Sequence, residues 1–318
     1  MRKLISTSAL VAGFIALAVV IVALGLHYYP STWSTAVRMT SRVPFAVIPA
    51  VGAVLVFAVL RRWNWLGIAV LAALALVWSQ LPLWIGESPP AGERFTVITA
   101  NLRLGEADTE ALAELVDSSH ADLLSLQEVT PEALARIRAG RIVARLPHVY
   151  AIPVSQTGGT ALLSAQPLVG AAPVPGTADR MLSAVTDLPG APGTRVLAIH
   201  PRAPLGGFVT SWDSDLRALG DYLRSTPQQR VVAAGDFNAT WDSSRYRALL
   251  TDGFADAAEQ IGAGFSPTFP ANRSRRPFIT LDHVITRGFA AASLSTHDIP
   301  GSDHRCLLYT SPSPRDLS

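Results

Sequence analysis

The chain of 318 residues holds one cysteine, Cys306, and only 16% of its side chains are charged, against about 25% in soluble globular domains. A single thiol excludes a disulfide framework and a cysteine-rich zinc site. The shortage of charge is local. Of the 24 acids only Glu87 falls within residues 1–90, beside six of the 26 bases, Arg2, Lys3, Arg38, Arg42, Arg61 and Arg62. Residues 91–318 therefore carry 20 basic and 23 acidic side chains, a net of −3. That balance excludes a wholly soluble chain. It also argues against a high-affinity, non-specific nucleic-acid binder, which needs a cationic surface.

What the first ninety residues have instead is apolar length. Ser6 to Leu26 carries no charge and is long enough to cross roughly 30 Å of hydrocarbon. Val43 to Leu60 is shorter and contains Pro44 and Pro49, and Trp65 to Trp84 is flanked by tryptophans that suit a membrane interface. The competing explanation for the first run is a cleaved signal peptide behind Arg2 and Lys3. Its length and the two runs that follow weigh against that. Arg2 and Lys3, and the Arg61–Arg62 turn, place the N-terminus in the cytoplasm and residues 85–318 outside it, although Arg38 and Arg42 in the first loop moderate the bias. The expected organisation is a three-helix anchor over 1–84 and a linker over 85–93, within a multi-pass protein of the cell membrane. With no charged residue expected inside a helix, the anchor reads as passive rather than as a transport path.

From Phe95 the pattern changes to alternating strands and helices. Phe95–Ala100 alternates toward Asn101, and Asp108 is positioned to cap a helix over 109–116. A strand over 122–127 leads to Glu128, and Thr130-Pro131-Glu132 opens a second helix. Further strands are expected at 160–164, 181–188, 194–200, 231–236 and 281–286, with a helix over 211–224.

Polar residues cluster where these strands end: Asn101, Glu128, His200, Asp236, Asn238, Asp282, Asp303 and His304. Strand-end loops commonly display catalytic groups. Each has a plain alternative: Glu128 as a helix cap, Asp236 and Asn238 as a turn, His200 as a surface histidine. Together they make an oxygen-rich set with two histidines, suited to Mg²⁺ or Mn²⁺ rather than zinc.

In order along the chain, Asn101-Leu-Arg103, Leu126-Gln127-Glu128, Leu162-Leu-Ser164, Ile199-His200-Pro201, Gly235-Asp236-Phe237-Asn238, Leu281-Asp282-His283 and Gly301-Ser302-Asp303-His304-Arg305 resemble the endonuclease/exonuclease/phosphatase superfamily over 94–305. Its membrane-anchored bacterial members are similar to the whole chain. The resemblance implies a four-layered α/β sandwich, two mixed β-sheets flanked by helices, here preceded by three transmembrane helices, and a metal-dependent phosphoester hydrolase. It implies Glu128 as principal metal ligand, assisted by Asn101 and Asp303. It makes Asp236 the residue that orients or deprotonates water, and gives Asn238, Asn101 and His200 to the substrate. It sets His304, held by Asp282, against the phosphate as general base or transition-state donor. Expected partners are a phosphoester (nucleic acid, phospholipid head group or small phosphodiester) and the lipid bilayer, with no protein partner. The alternative is an anchored domain that binds a phosphorylated ligand without cleaving it.

The chain departs from the family pattern in several places. Ala165-Gln166-Pro167 replaces an arginine common after Leu-Leu-Ser, and Arg103 stands where nucleases often carry an acid, which weakens an abasic-site reading. Asn272-Arg273-Ser274-Arg275-Arg276 is a basic stretch that either grips an anion or is a solvated loop. The apolar Pro204–Val209 stretch and Trp212 face a similar choice between lipid contact and helix packing. After Arg305 the Ser-Pro repeat reads as coil, with only 307–310 able to form a strand, so 306–318 is expected to be a non-native tail.

Overall fold

The computed structural model describes residues 2–88, 91–178, 181–272 and 276–312. The chain divides into two compact units, Met1–Pro82 with Asp242–Ser244, and Leu83–Trp241 with Arg245–Ser318. In the first unit α1 (Arg2–Tyr28), α2 (Ser34–Met39), α3 (Val47–Val59) and α4 (Trp63–Gln80) are joined by a 3₁₀ turn over Thr40–Ala46 and the Arg61–Arg62 bend. Among the described residues three segments, Ser6–Tyr28, Ser34–Val59 and Trp63–Leu83, are long and apolar enough to cross a membrane. Two expectations are corrected here. The second segment starts at Ser34, nine residues before Val43, because α2 and the 3₁₀ turn continue into α3 and accommodate Pro44. That extension draws Arg38 and Arg42 into helical backbone, so this segment is not free of charge. The expected linker also differs: Gly264 N–H bonds to the Leu83 carbonyl at 2.6 Å and Glu87 N–H to the Gln260 carbonyl at 2.8 Å, so its start is fixed within the second unit. Pro89 and Pro90 lie outside the described residues.

The second unit contains β1 (Arg94–Asn101), α5 (Thr109–Ser118), β2 (Leu123–Gln127), α6 (Pro131–Ala139), α7 (Ile142–Arg145), β3 (His148–Ile152), β4 (Thr160–Ser164) and β5 (Val169–Pro173). They are followed by β6 (Leu182–Leu188), β7 (Ala191–Ile199), α8 (Val209–Ser225), β8 (Val231–Asp236), α9 (Ser244–Arg247), β9 (Phe254–Asp256), α10 (Ala257–Ile261), β10 (Asp282–Arg287), β11 (Ser293–Asp298) and β12 (Arg305–Pro312). Caps fall where expected. The Asp108 carboxylate accepts from Glu110 N–H at 2.9 Å, and Thr130 Oγ1 accepts from Ala133 N–H at 3.2 Å with Pro131 at the first helical position.

Two six-stranded sheets form, in the orders β11-β12-β1-β2-β4-β3 and β5-β6-β7-β8-β10-β9. Both are mixed: β1/β2 and β7/β8 are parallel, and the other pairs antiparallel. Their facing surfaces bury Phe95, Val97, Leu123, Leu162, Val196, Val232, Val284 and Tyr309 between them. The outer face of the first sheet packs on α5 and α6 through Leu112, Val116, Leu134 and Ile137. This is the expected layered sandwich.

The coil expected after Arg305 is the largest correction. β12 runs over Arg305–Pro312 between β1 and β11, pairing Thr99 with Leu307 and Val97 with Tyr309. The strand is buried on both faces, Cys306 against the helix side and Tyr309 between the sheets, and Cys306, Leu307 and Tyr309 are at most 1% exposed. A central slot supplies hydrogen bonds on both edges, and that outweighs the weak strand propensity of a Ser- and Pro-containing segment. Residues 313–318 lie outside the described set.

Beside the second sheet, His283 donates from both ring nitrogens, to the Asp256 carboxylate at 2.9 Å and the Ala239 carbonyl at 3.0 Å, and Tyr246 Oη donates to the same carboxylate at 2.5 Å. Burial opposes charge on both partners, but the hydrogen bond and the opposite charge win. His283 is raised above 6.5 and Asp256 lowered below 3.8. A raised histidine stabilises fully below its unfolded value near 6.5, and the benefit disappears as pH climbs through the folded value. The depressed Asp256 stabilises above about 3.8 and fails as pH falls through its folded value. His283→Gln should therefore lower the melting temperature most near pH 6 and progressively less in alkali. A gap that does not change with pH, in thermal melts from pH 5 to 10, would refute the charged pair.

Candidate active site

The two parallel pairs carry their strand ends to one edge. Asn101 closes β1, Glu128 follows β2, His200 follows β7 and Asp236 closes β8. The antiparallel β10 and β12 begin at that same edge, bringing Asp282 opposite Asp236 and setting His304 just ahead of Arg305. Gly235 is needed for this approach, because a Cβ there would overlap the Ile199 carbonyl on the neighbouring strand.

Asn101 lies at the middle of the cluster. Its Nδ2 donates to Glu128 Oε1 at 3.3 Å and Asp236 Oδ2 at 3.2 Å, while its Oδ1 accepts Arg103 N–H at 2.8 Å. The other Glu128 oxygen accepts Leu104 N–H at 2.8 Å. Asp236 Oδ1 accepts Asn238 N–H at 2.8 Å, and Asn238 Nδ2 donates to the Pro201 carbonyl at 3.0 Å. Glu128 and Asn238 both sit in left-handed backbone, with φ of 54° and 48°. For non-glycine residues that conformation stores strain of order 1–3 kcal/mol and clusters at functional sites.

His304 Nδ1 bonds to Asp282 Oδ2 at 2.8 Å, and Nε2 lies 3.6 Å from Asp236 Oδ2. His200 Nε2 approaches the same oxygen at 4.0 Å. Burial resists the charge on His304, but Asp282 and Asp236 outweigh it and lift the imidazole to about 10. Burial raises Asp236, with His304 opposing that shift. His200 Nδ1 and Asp282 Oδ1 are buried with no hydrogen-bond partner. Such orphans are uncommon, and at this edge they point to a missing polar occupant.

Two of the three plain alternatives do not hold, and the third, the turn, is part of the cluster. Thr130, not Glu128, caps α6; His200 is 3% exposed; and the Asp236–Asn238 turn exists but lies inside the cluster. Asp303 is only half-buried, and its backbone carbonyl accepts Ala271 N–H at 2.6 Å. Trp212 is buried in packing and donates to the Phe237 carbonyl, leaving Leu205 and Phe208 as the exposed apolar side chains of their stretch. Arg273 and Arg275 lie outside the described residues.

The donors fit a hard divalent cation, which takes carboxylate and amide oxygens. Asp236, Asp282 and His304 each offer a ligand atom within 4.8 Å of the others. His304 is bonded to Asp282 through Nδ1, and the carboxylates around it favour the protonated imidazole, a form that competes with ligation through Nε2. Glu128, joined to Asp236 through Asn101, adds a further carboxylate to the cluster. Asn101 turns its nitrogen, not its oxygen, toward the two carboxylates, so it acts here as a donor. It would join a metal only with the amide reversed.

Three supporting residues escape sequence reasoning. Ser302 Oγ donates to the Asn101 carbonyl at 2.8 Å and accepts His304 N–H at 3.0 Å. Thr268 Oγ1 accepts from the amides of Leu281 and Asp282 at 3.1 and 3.3 Å. The Phe269 ring lies 4.8 Å from the His304 ring, centroid to centroid. Ser302 sat inside the Ser-Asp-His motif and could have been suspected; Thr268 and Phe269 carry no local signal.

A layered sandwich with a carboxylate–histidine pair and an oxygen-donor cluster at one edge defines a class of metal-dependent phosphoester hydrolases. The sequence profile of the Endonuclease/Exonuclease/phosphatase family matches residues 98–304, and the chain belongs to that family. No curated protein matches it. Among solved structures it is similar to Danio rerio TDP2 complexed with a single-strand DNA product (14% identity, 69% of this chain and 99% of that one, TM-score 0.55). It is likewise similar to an AP endonuclease from Archaeoglobus fulgidus (16%, 68% and 98%, 0.56) and a 3′-5′ exonuclease from Neisseria meningitidis (17%, 68% and 98%, 0.52).

Proposed function

We propose that the chain is a membrane-anchored phosphodiesterase that uses Mg²⁺ or Mn²⁺ and works outside the cytoplasm. The observation that carries this reading is the buried Asp282–His304 pair facing Asp236 within reach of Glu128. A bound divalent ion would neutralise the non-bridging phosphate oxygens. Glu128 would hold it, with Asp303 and a reversed Asn101 assisting. Asp236, oriented by Asn238 N–H, positions the attacking water and accepts its proton. The charge on His304 supports the donor role over the base: an imidazolium fixed by Asp282 donates to a phosphate oxygen as negative charge builds. His200 and Asn238 add polar contacts to the transferring group. The helical segments and the Arg2, Lys3, Arg61 and Arg62 bias support a multi-pass anchor with a cytoplasmic N-terminus.

The test uses the full chain in detergent with bis-p-nitrophenyl phosphate. Nitrophenolate release with Mg²⁺ or Mn²⁺, abolished by EDTA, is the expected result. A folded protein that binds phosphate esters but turns none over would replace this reading with the binding-only alternative. For topology, protease added to intact cells should remove the 94–312 region; protection of that region would reverse the orientation.

A further inference from the structure

Next to the catalytic edge a cavity of about 1080 Å³ is lined by Arg103, Arg276, Arg305, Asn272, Asp298 and the Ile299–Ser302 segment, with Ala271 and Pro277. Three arginines against one acid is a reversal of sign in a domain whose net charge is −3. Resting on the phosphodiesterase reading, we propose that this cavity binds a second phosphate of the substrate, one that is not cleaved, and that the enzyme selects substrates carrying it.

The cavity and the active site share a wall. Ser302 lines the cavity and is bonded to both Asn101 and His304. Arg305 directly follows His304, and Arg103 lies two residues after Asn101. Arg103 is held there at a cost. It and Leu104 occupy consecutive left-handed positions, φ 47° and 52°, each costing roughly 1–2 kcal/mol for a residue with a Cβ. The bonds that hold this turn, Arg103 N–H to Asn101 and Leu104 N–H to Glu128, are bonds of the catalytic cluster. Opposite it, Gly301 at φ 88° lets the 299–302 wall close on the turn, where a Cβ would overlap the Glu106 carbonyl.

The guanidinium groups are available. Arg276 is exposed and makes no hydrogen bond or ion pair with any described residue. Arg305 gives only Nε to Asp298, at 2.7 Å, which leaves its terminal nitrogens for an anion. Arg103 pairs through Nε with Glu106 at 3.5 Å and donates from Nη1 to the Gly301 carbonyl at 3.5 Å, but both contacts are long and exposed, the Arg103 and Glu106 side chains are about half exposed, and such pairs are weak. Planar guanidinium groups match phosphate oxygens two at a time, which a lone cation does not. The volume exceeds that of a phosphate alone and admits the sugar or polyol ring that would carry it.

The source of the second phosphate separates into two assay arms: TpT against pTpT and TpTp, and glycerophosphoinositol against its 4-phosphate. With full-length protein, the extra phosphate should lower KM about tenfold in at least one arm, as expected for a charge-assisted contact. Arg276→Glu and Arg103→Gln should erase that preference. For Arg276→Glu, kcat/KM on bis-p-nitrophenyl phosphate, which has no second phosphate, should stay within about twofold of wild type. No preference in either arm, or an equal loss on bis-p-nitrophenyl phosphate, overturns the proposal. If bis-p-nitrophenyl phosphate is not hydrolysed at all, the phosphodiesterase reading fails by itself. Calorimetric binding of the same pairs in EDTA then decides the cavity: tighter binding of the phosphorylated member, lost in Arg276→Glu, sustains it, and equal binding overturns it.

Discussion

Replacing His304 with alanine should reduce metal-dependent hydrolysis of bis-p-nitrophenyl phosphate on the order of 10³-fold, with the fold intact. The imidazole is a cationic donor buried in the cluster, pinned at 2.8 Å to Asp282 and lifted to about 10 by the carboxylates around it. Losing a positioned donor of developing charge typically costs 10²–10³ in turnover, and proton-transfer groups contribute about 10²–10⁴. Glu128→Ala should match that loss for a different reason, since it removes the carboxylate that would hold the metal. The two are separable. Raising Mg²⁺ should recover part of the Glu128→Ala activity and none of the His304→Ala activity. Asp282→Asn keeps the shape but removes the charge that fixes the imidazolium, so its deficit should be intermediate. If His304→Ala keeps more than a tenth of wild-type turnover, the donor assignment is wrong.

Removing residues 306–318 should abolish folding of the catalytic domain, measured as loss of cooperative melting and of near-ultraviolet circular dichroism. β12 is hydrogen-bonded on both edges, and its deletion would leave β1 and β11 with unpaired backbone inside a six-stranded sheet. Buried, unpaired backbone groups cost roughly 1–3 kcal/mol each, so a few of them exceed the 5–15 kcal/mol stability of a typical domain. The single change Tyr309→Ala gives a graded version. A fully buried ring replaced by a methyl group costs about 3–5 kcal/mol, and unfolding in urea should report a loss of that size. A truncated chain that still melted cooperatively with wild-type activity would show that β12 is dispensable.

The contrast between β12 and the strands read correctly from sequence shows where legibility ends. β1, β2, β4 and β8 are largely buried hydrophobic runs, and their composition alone announces them. β11, with Ser293-Leu-Ser-Thr-His-Asp298, and β5, with Val169-Gly-Ala-Ala-Pro173, are edge strands with no fully buried residue and without such a signal. β12 looks like coil until its slot between two strands is known. The same holds in the apolar segment, where Arg38 and Arg42 end in helical backbone although charge argued for a loop.

The sequence by itself determined the chemistry. Asn101, Glu128, His200, Asp236, Asn238 and Asp282 stand in family order at the ends of legible strands, Asp303 and His304 are marked by their motif alone, and the helix caps Asp108 and Thr130 are local signals that need no partner. Only the tertiary structure decided how those groups face one another. It turned the Asn101 amide nitrogen toward two carboxylates, paired His304 with Asp282, brought Thr268, Phe269 and Ser302 behind the site, and set three arginines around one cavity. These outcomes depend on which distant segments the two sheets bring within a few ångströms, and sequence spacing does not encode such distances.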